Sequence, residues 1–209
     1  LSDDDFSRIF VLNGFAGTGK TTLIAALVAA LKELRIKPVL LAPTGRAAKV
    51  LARYCGEQAL TIHKRIYRQR TNADYESKFS LDFNREQGAV FIVDEASMLS
   101  DSTGDGALFG SGSLLEDLVS YVRSGRGCRL ILVGDSAQLP PVGCDFSPAL
   151  DPATVSRYGE VVYGLMDEVV RQQMQSGILF NATLVRCMLE TRIYEIPKFE
   201  MHYPDFESV

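Results

Sequence analysis

The sequence predicts a doubly wound α/β fold with a mainly parallel sheet and helices on both faces, on three observations. Four apolar, β-branched runs, Ile9 to Asn13, Pro38 to Ala42, Ala89 to Val93 and Arg129 to Val133, each end in small or acidic residues. Runs of that kind mark strands buried on both faces. Between the first two, Leu23, Ile24, Leu27, Val28, Leu31 and Leu34 recur at intervals of three and four, which makes an amphipathic helix and hence a right-handed βαβ unit. A glycine-rich turn joins the first strand to that helix.

Taken in order, the first strand runs into the turn and the helix opens at Thr22. After the second strand, Ala47 to Tyr54 forms a short helix, and Leu114 to Val122 forms another before the fourth strand. Glu160 to Tyr163 supplies a fifth strand. Two stretches interrupt the alternation. Arg65 to Gly88 is polar, with Tyr67, Tyr75, Phe79 and Phe83 scattered through it, and reads as a hairpin or small insertion. Ser100 to Ser113 carries Gly104, Gly106, Gly110 and Gly112 and reads as a mobile loop. The tail from Pro197 to Val209 reads as ending in an unpacked segment.

At 209 residues and 46% hydrophobic, the chain has enough apolar material for one substantial core with a small appendage. A net charge of −4 argues against blanket affinity for nucleic acid, so any such binding needs a local basic groove. The four cysteines, Cys55, Cys128, Cys144 and Cys187, form no C-x-x-C pair and accompany only two histidines, which points away from a zinc site or a disulfide framework. With no signal peptide and no apolar run long enough to span a bilayer, a reducing cytoplasm is the expected location and no membrane partner is expected. A chain that begins at Leu1 rather than Met is expected to be a fragment.

The turn carries the chemistry. Gly14-Phe15-Ala16-Gly17-Thr18-Gly19-Lys20-Thr21 is a complete G-x-x-x-x-G-K-[ST] loop between a strand and a helix. Backbone N–H groups of such a loop, with Thr22 opening the helix, point into one concavity, and the helix dipole adds positive potential toward a phosphate. Lys20 reaches the outer phosphates of ATP, and the Thr21 hydroxyl suits Mg²⁺. After the third strand come Asp94 and Glu95. One carboxylate, Asp94, can hold Mg²⁺, which takes few protein ligands, while Glu95 can orient and deprotonate a water. The fourth strand runs into Gly134-Asp135-Ser136-Ala137-Gln138, where the neutral amide of Gln138 can report triphosphate against diphosphate.

Five stretches together resemble superfamily 1 DNA helicases of the RecD-like branch. They are the phosphate loop, Ala42 to Lys49, Thr61 to Lys64, Val93 to Met98 and Gly134 to Pro141, in matching order and spacing over about residues 9 to 172. The resemblance implies a P-loop, RecA-like motor using ATP and Mg²⁺ on single-stranded DNA, usually moving 5′ to 3′, sometimes as one subunit of an exonuclease V complex. It implies DNA-backbone contacts at Pro43, Thr44, Gly45 and Arg46 and a further contact at His63. Arg171 is similar to the arginine that faces the γ-phosphate and stabilises transition-state charge. The insertion lies where the family carries a strand-separating pin, so its aromatics either stack on a base or staple the insertion to the sheet.

The pattern departs from the family at both ends. Upstream there is no room for the glutamine element that grips adenine, and downstream the second RecA-like domain is missing. Residues 1–172 are therefore expected to form the motor domain, and 173–209 an extension leading toward the absent partner domain. Two other functions fit the motifs: an RNA helicase of the same superfamily, and a nucleotide-gated module in which ATP orders the Gly104 to Gly112 loop for a protein partner.

Overall fold

The computed structural model describes residues 8–71, 77–101, 109–168, 176–191, 196–200 and 202–203. Eight strands are described: β1 (Ile9–Gly14), β2 (Pro38–Ala42), β3 (Ala59–Thr61), β4 (Tyr67–Thr71), β5 (Ser77–Leu81), β6 (Val90–Val93), β7 (Arg129–Gly134) and β8 (Val161–Met166). They alternate with helices α1 (Lys20–Glu33), α2 (Gly45–Cys55), α3 (Ile62–Ile66), α4 (Leu114–Ser124), α5 (Pro152–Val155) and α6 (Gly177–Glu190). Six strands make one sheet in the order β3-β2-β6-β7-β1-β8, and β4 and β5 pair separately. Every pair in the larger sheet is parallel, so the predicted doubly wound α/β fold is present.

Both faces of that sheet are covered, for the reason the apolar runs imply. Alternate strand residues point to opposite sides, and each side needs its own apolar partner. Val11, Leu41, Phe91, Val93 and Leu132 join α3, α4 and α5 in one cluster. Leu12, Leu40, Ile92 and Val133 join α1 and α2 in the other. On α1 the buried stripe is Ile24, Val28 and Leu31. Leu23 and Leu34, part of the predicted periodic face, are 44% and 69% exposed, because the stripe facing the sheet is narrower than the apolar run.

Boundaries moved by a few residues. The first helix opens at Lys20 rather than Thr22, inside the motif itself. The fifth predicted strand extends to Met166, since β1 offers it a partner as far as Gly14. The short strand β3 and helices α3, α5 and α6 have no counterpart in the predicted elements. The insertion is a two-stranded antiparallel hairpin with Tyr67 opposite Leu81 and Gln69 opposite Phe79. Of its aromatics, Tyr67 and Phe79 pack on Phe109 with ring centroids 5.3 and 4.6 Å away, so they staple the hairpin to the domain. Phe83 stands 64% exposed, and Tyr75 lies outside the described residues.

The glycine-rich stretch divides in the same way. Residues 102–108 lie outside the description, but Phe109 to Ser113 is held by packing and by hydrogen bonds to Phe79 and Asp117. In the tail, Asn181 exchanges two hydrogen bonds with the Glu200 backbone, and Phe180 lies against Tyr203.

Candidate nucleotide-binding site

All the motif loops emerge at the carboxyl edge of the parallel sheet. Register brings them together: β7, which ends at Gly134, lies between β1 and β6, so its turn sits between the phosphate loop and the acidic pair. Open α/β sheets bind ligands at this edge.

The loop itself is built for an anion. Gly17 and Gly19 adopt φ of 78° and 88°, a region that side chains resist, so glycine is required at both. At Gly14 an added Cβ would come within 2.9 Å of the Lys20 side chain, which curls back over the loop. Lys20 Nζ donates to the carbonyls of Gly14 and Phe15 at 2.6 and 3.0 Å and lies 3.9 Å from a carboxylate oxygen of Asp135. Thr18 donates its hydroxyl to the Phe15 carbonyl at 2.8 Å, fixing the bend. Helix α1 begins at Gly19 with no capping side chain and no acidic residue in its first turn. Its first N–H groups and the positive end of its dipole therefore face the loop uncompensated by protein. The residues present thus suit a Mg²⁺-bound nucleoside triphosphate, with Gly17, Thr18, Gly19, Lys20 and Thr22 around the phosphates.

Asp94 and Glu95 follow β6 as predicted. Asp94 is 9% exposed. Burial and then the neighbouring Glu95 push its carboxyl above the usual range, with a backbone hydrogen bond and Lys20 acting in the opposite direction. A buried carboxylate under that pressure gains most from a cation, which fits a role with Thr21 in holding Mg²⁺. Glu95 takes a left-handed backbone, φ 56°, and its N–H donates to Asp94 Oδ1 at 3.0 Å. A non-glycine residue held in that region carries strain. Gln138 is exposed on the turn after β7, where Ser97 Oγ lies 3.4 Å from its Oε1.

Three residues of this edge carry no role in the motif reading. Asn13 is 5% exposed and is the penultimate residue of β1. Its amide donates to Ser136 Oγ at 2.8 Å and to Tyr163 Oη at 3.1 Å, and its oxygen accepts from Ser136 N at 2.9 Å. The base of the phosphate loop is thereby tied to the turn that carries Gln138. Asp135, 2% exposed, accepts from Ala137 N and faces Lys20. Arg186 of α6 places its guanidinium 3.9 Å over the Phe15 ring. A polar residue near the end of an otherwise apolar strand was a visible signal for Asn13, whereas nothing local marks Arg186.

The residues proposed to face DNA are placed unevenly. Pro43 to Arg46 lies at the carboxyl end of β2, with Thr44, Gly45 and Arg46 exposed. Thr44 is also the N-cap of α2, its hydroxyl accepting from Ala47 N at 3.2 Å. His63 is turned edge-on to Phe109 at 5.0 Å and packs on Tyr67 at 5.6 Å. Burial lowers its pKa. Arg171 lies outside the described residues.

A parallel sheet carrying a glycine loop, an acidic pair one strand removed and an amide between them defines a P-loop nucleotide-binding domain of RecA-like architecture. The chain belongs to the AAA domain family, whose model matches residues 4–180. It is 33% identical over 135 residues to the ATP-dependent RecD2 DNA helicase of Deinococcus radiodurans, covering 65% of this chain and 16% of that protein. It is also 33% identical over 201 residues to the RecBCD enzyme subunit RecD of Mycobacterium tuberculosis, covering 78% of this chain and 32% of the subunit. The chain therefore spans a minor part of these relatives. The Pif1 helicase of Candida albicans shares the fold, with a TM-score of 0.52 at 20% identity over 95% of this chain and 45% of that one. The resemblance to the RecD-like branch read from the motifs is borne out by these relatives.

Proposed function

We propose that the chain is the N-terminal motor domain of a longer ATP-dependent helicase that moves on single-stranded DNA. The observation that carries the reading is the constellation of Lys20, Asp94, Glu95 and Gln138 on one sheet edge beside the exposed Thr44 to Arg46 loop.

In this reading Lys20 and the loop N–H groups bind the triphosphate, Thr21 and Asp94 hold Mg²⁺, and Glu95 accepts a proton from the attacking water. Mg²⁺, when bound, neutralises charge that develops on the phosphate oxygens. Gln138 senses the outer phosphate, and Arg171 adds positive charge there. The turn bearing Gln138 is anchored through Asn13 to the phosphate loop, so a change at the outer phosphate has a rigid path into β1 and β7. Pro43 to Arg46 and His63 contact the DNA backbone. Movement is 5′ to 3′ and requires the second RecA-like domain, so the chain alone binds nucleotide but hydrolyses it poorly. Partners are single-stranded DNA and, by analogy with RecD subunits, other helicase or nuclease subunits. The setting is cytoplasmic; among the described residues no helix is long and apolar enough to cross a membrane.

The test is ATP turnover by the full-length parent protein with and without single-stranded DNA, beside Lys20→Ala. Stimulation by DNA that vanishes in the variant is the expected result. Turnover indifferent to DNA would overturn the assignment, and preferential stimulation by RNA would move it to RNA helicases.

A further inference from the structure

A cleft of 650 Å³ among the described residues is lined by neither the phosphate loop nor the Thr44 loop. It opens between the base of the β4–β5 hairpin and α4. Its wall runs from Glu86, which bonds Lys37 immediately before β2, to Leu60 of β3 and Lys64 of α3, so it lies along the β3 side of the sheet. Its size is that of a ligand site.

Its lining is chemically specific. Leu60, Tyr67 and Tyr121 give it an apolar side, the two tyrosines being 8% and 3% exposed, and Phe83 projects from its rim. Four cations and two carboxylates complete it. Glu86 is neutralised by Lys37 and Arg65, and Asp82 by Arg68. Lys64 and Arg85 are exposed and form no ion pair with any described residue. Arg65 is held by Glu86 and lends its charge to the wall.

We infer that this cleft docks an acidic peptide segment of a partner protein, one that sets one or two carboxylates against Lys64 and Arg85 and an aromatic or large aliphatic side chain against the exposed Phe83. Charge complementarity selects this occupant over a nucleic acid. The lining carries a surplus of only two positive charges, and Asp82 and Glu86 stand among them. A phosphodiester chain needs a continuous basic stripe, whereas isolated carboxylates match this count. The inference stands independently of the helicase reading.

A phage-displayed library of random heptapeptides, selected on the chain and counter-selected on a Lys64→Glu, Arg85→Glu double variant, tests it. Both substitutions are at exposed positions, and a thermal melt checks that the variant is folded. The expected result is enrichment of peptides that pair Asp or Glu with an aromatic or large aliphatic residue. A synthetic copy of the selected peptide should lose about tenfold in affinity on the double variant, and as much when its acids become amides. It should weaken several-fold on Phe83→Ala. Absence of acidic enrichment, or binding that the double variant retains, would overturn the proposal. Labelled oligothymidine that binds the chain and is lost on Arg85→Glu, with no acidic peptide selected, would overturn it in favour of a nucleic acid.

Discussion

The amino-terminal ends of α1 and α4 solve the same problem in opposite ways. Each helix presents N–H groups without intrahelical acceptors. At α4 the protein supplies the acceptors: Ser113 Oγ accepts from Glu116 N at 3.2 Å, and Glu116 and Asp117 place negative charge in the first turn. Asp117, 5% exposed, also accepts from Tyr67 Oη at 2.6 Å and from Ser111 N at 3.0 Å. Burial and then this bond push the Tyr67 hydroxyl well above its ordinary pKa. At α1 the protein withholds all of this, offering Gly19 as the cap and Lys20 as the first residue. A completed end is a structural joint, and an incomplete one is a binding site. The domain keeps the two apart, with stability lodged around Asp117 and chemistry around Lys20.

That separation can be broken or sharpened by substitution. The largest effect is expected at the α1 edge: Glu95→Gln should lower DNA-stimulated ATP turnover of the full-length protein by about 10²- to 10⁴-fold. Its denaturation midpoint should barely move, and turnover with a stability loss would blur the contrast. Next is Asp117→Ala, which strands the buried Tyr67 hydroxyl and frees the Ser111 N–H, and should cost about 2 kcal/mol in urea unfolding while leaving nucleotide affinity unchanged. A smaller change is expected at the position that serves both purposes. Thr44→Ala removes the α2 cap and should cost about 1 kcal/mol of stability, while Thr44→Ser keeps it. If DNA affinity falls in Ala and is retained in Ser, the hydroxyl acts in both roles.

The smallest effect is a pH dependence. Burial lowers the pKa of His63 from its ordinary 6.5, so the unfolded chain takes up the proton first as the solution is acidified. His63 therefore contributes a loss of stability that starts near 6.5, grows as the pH falls toward the folded-state pKa and levels off below it. His63→Phe should remove that component, seen as a shallower fall in unfolding free energy between neutral and mildly acid pH. An unchanged slope would mean that the imidazole is not held in the aromatic cluster.

Legibility in the sequence followed the range of the forces involved. The phosphate loop, the acidic pair and the five strands and three helices predicted around them were readable because each depends on neighbours a few residues away. Lys20 and Thr21 need only the glycines before them, and β6 needs only its own apolar run. Asn13, Asp135 and Arg186 carry no local signal of their roles, since their partners lie 123, 115 and 171 positions away in the chain. The same holds for the hairpin, where nothing in its composition separates Tyr67 and Phe79, which are stapled to Phe109, from Phe83, which faces solvent.

By itself, then, the sequence determined that the chain is a parallel α/β domain with a phosphate loop after its first strand and an acidic pair after its third predicted strand. Local backbone conformation and hydrophobic periodicity settle both, because they are properties of contiguous segments. Only the tertiary structure decided that the turn bearing Gln138 is locked to the phosphate loop through Asn13, that His63 lies against Phe109, and that a charged cleft opens beside the β4–β5 hairpin. These depend on strand order and on which faces meet, and packing of distant segments sets them.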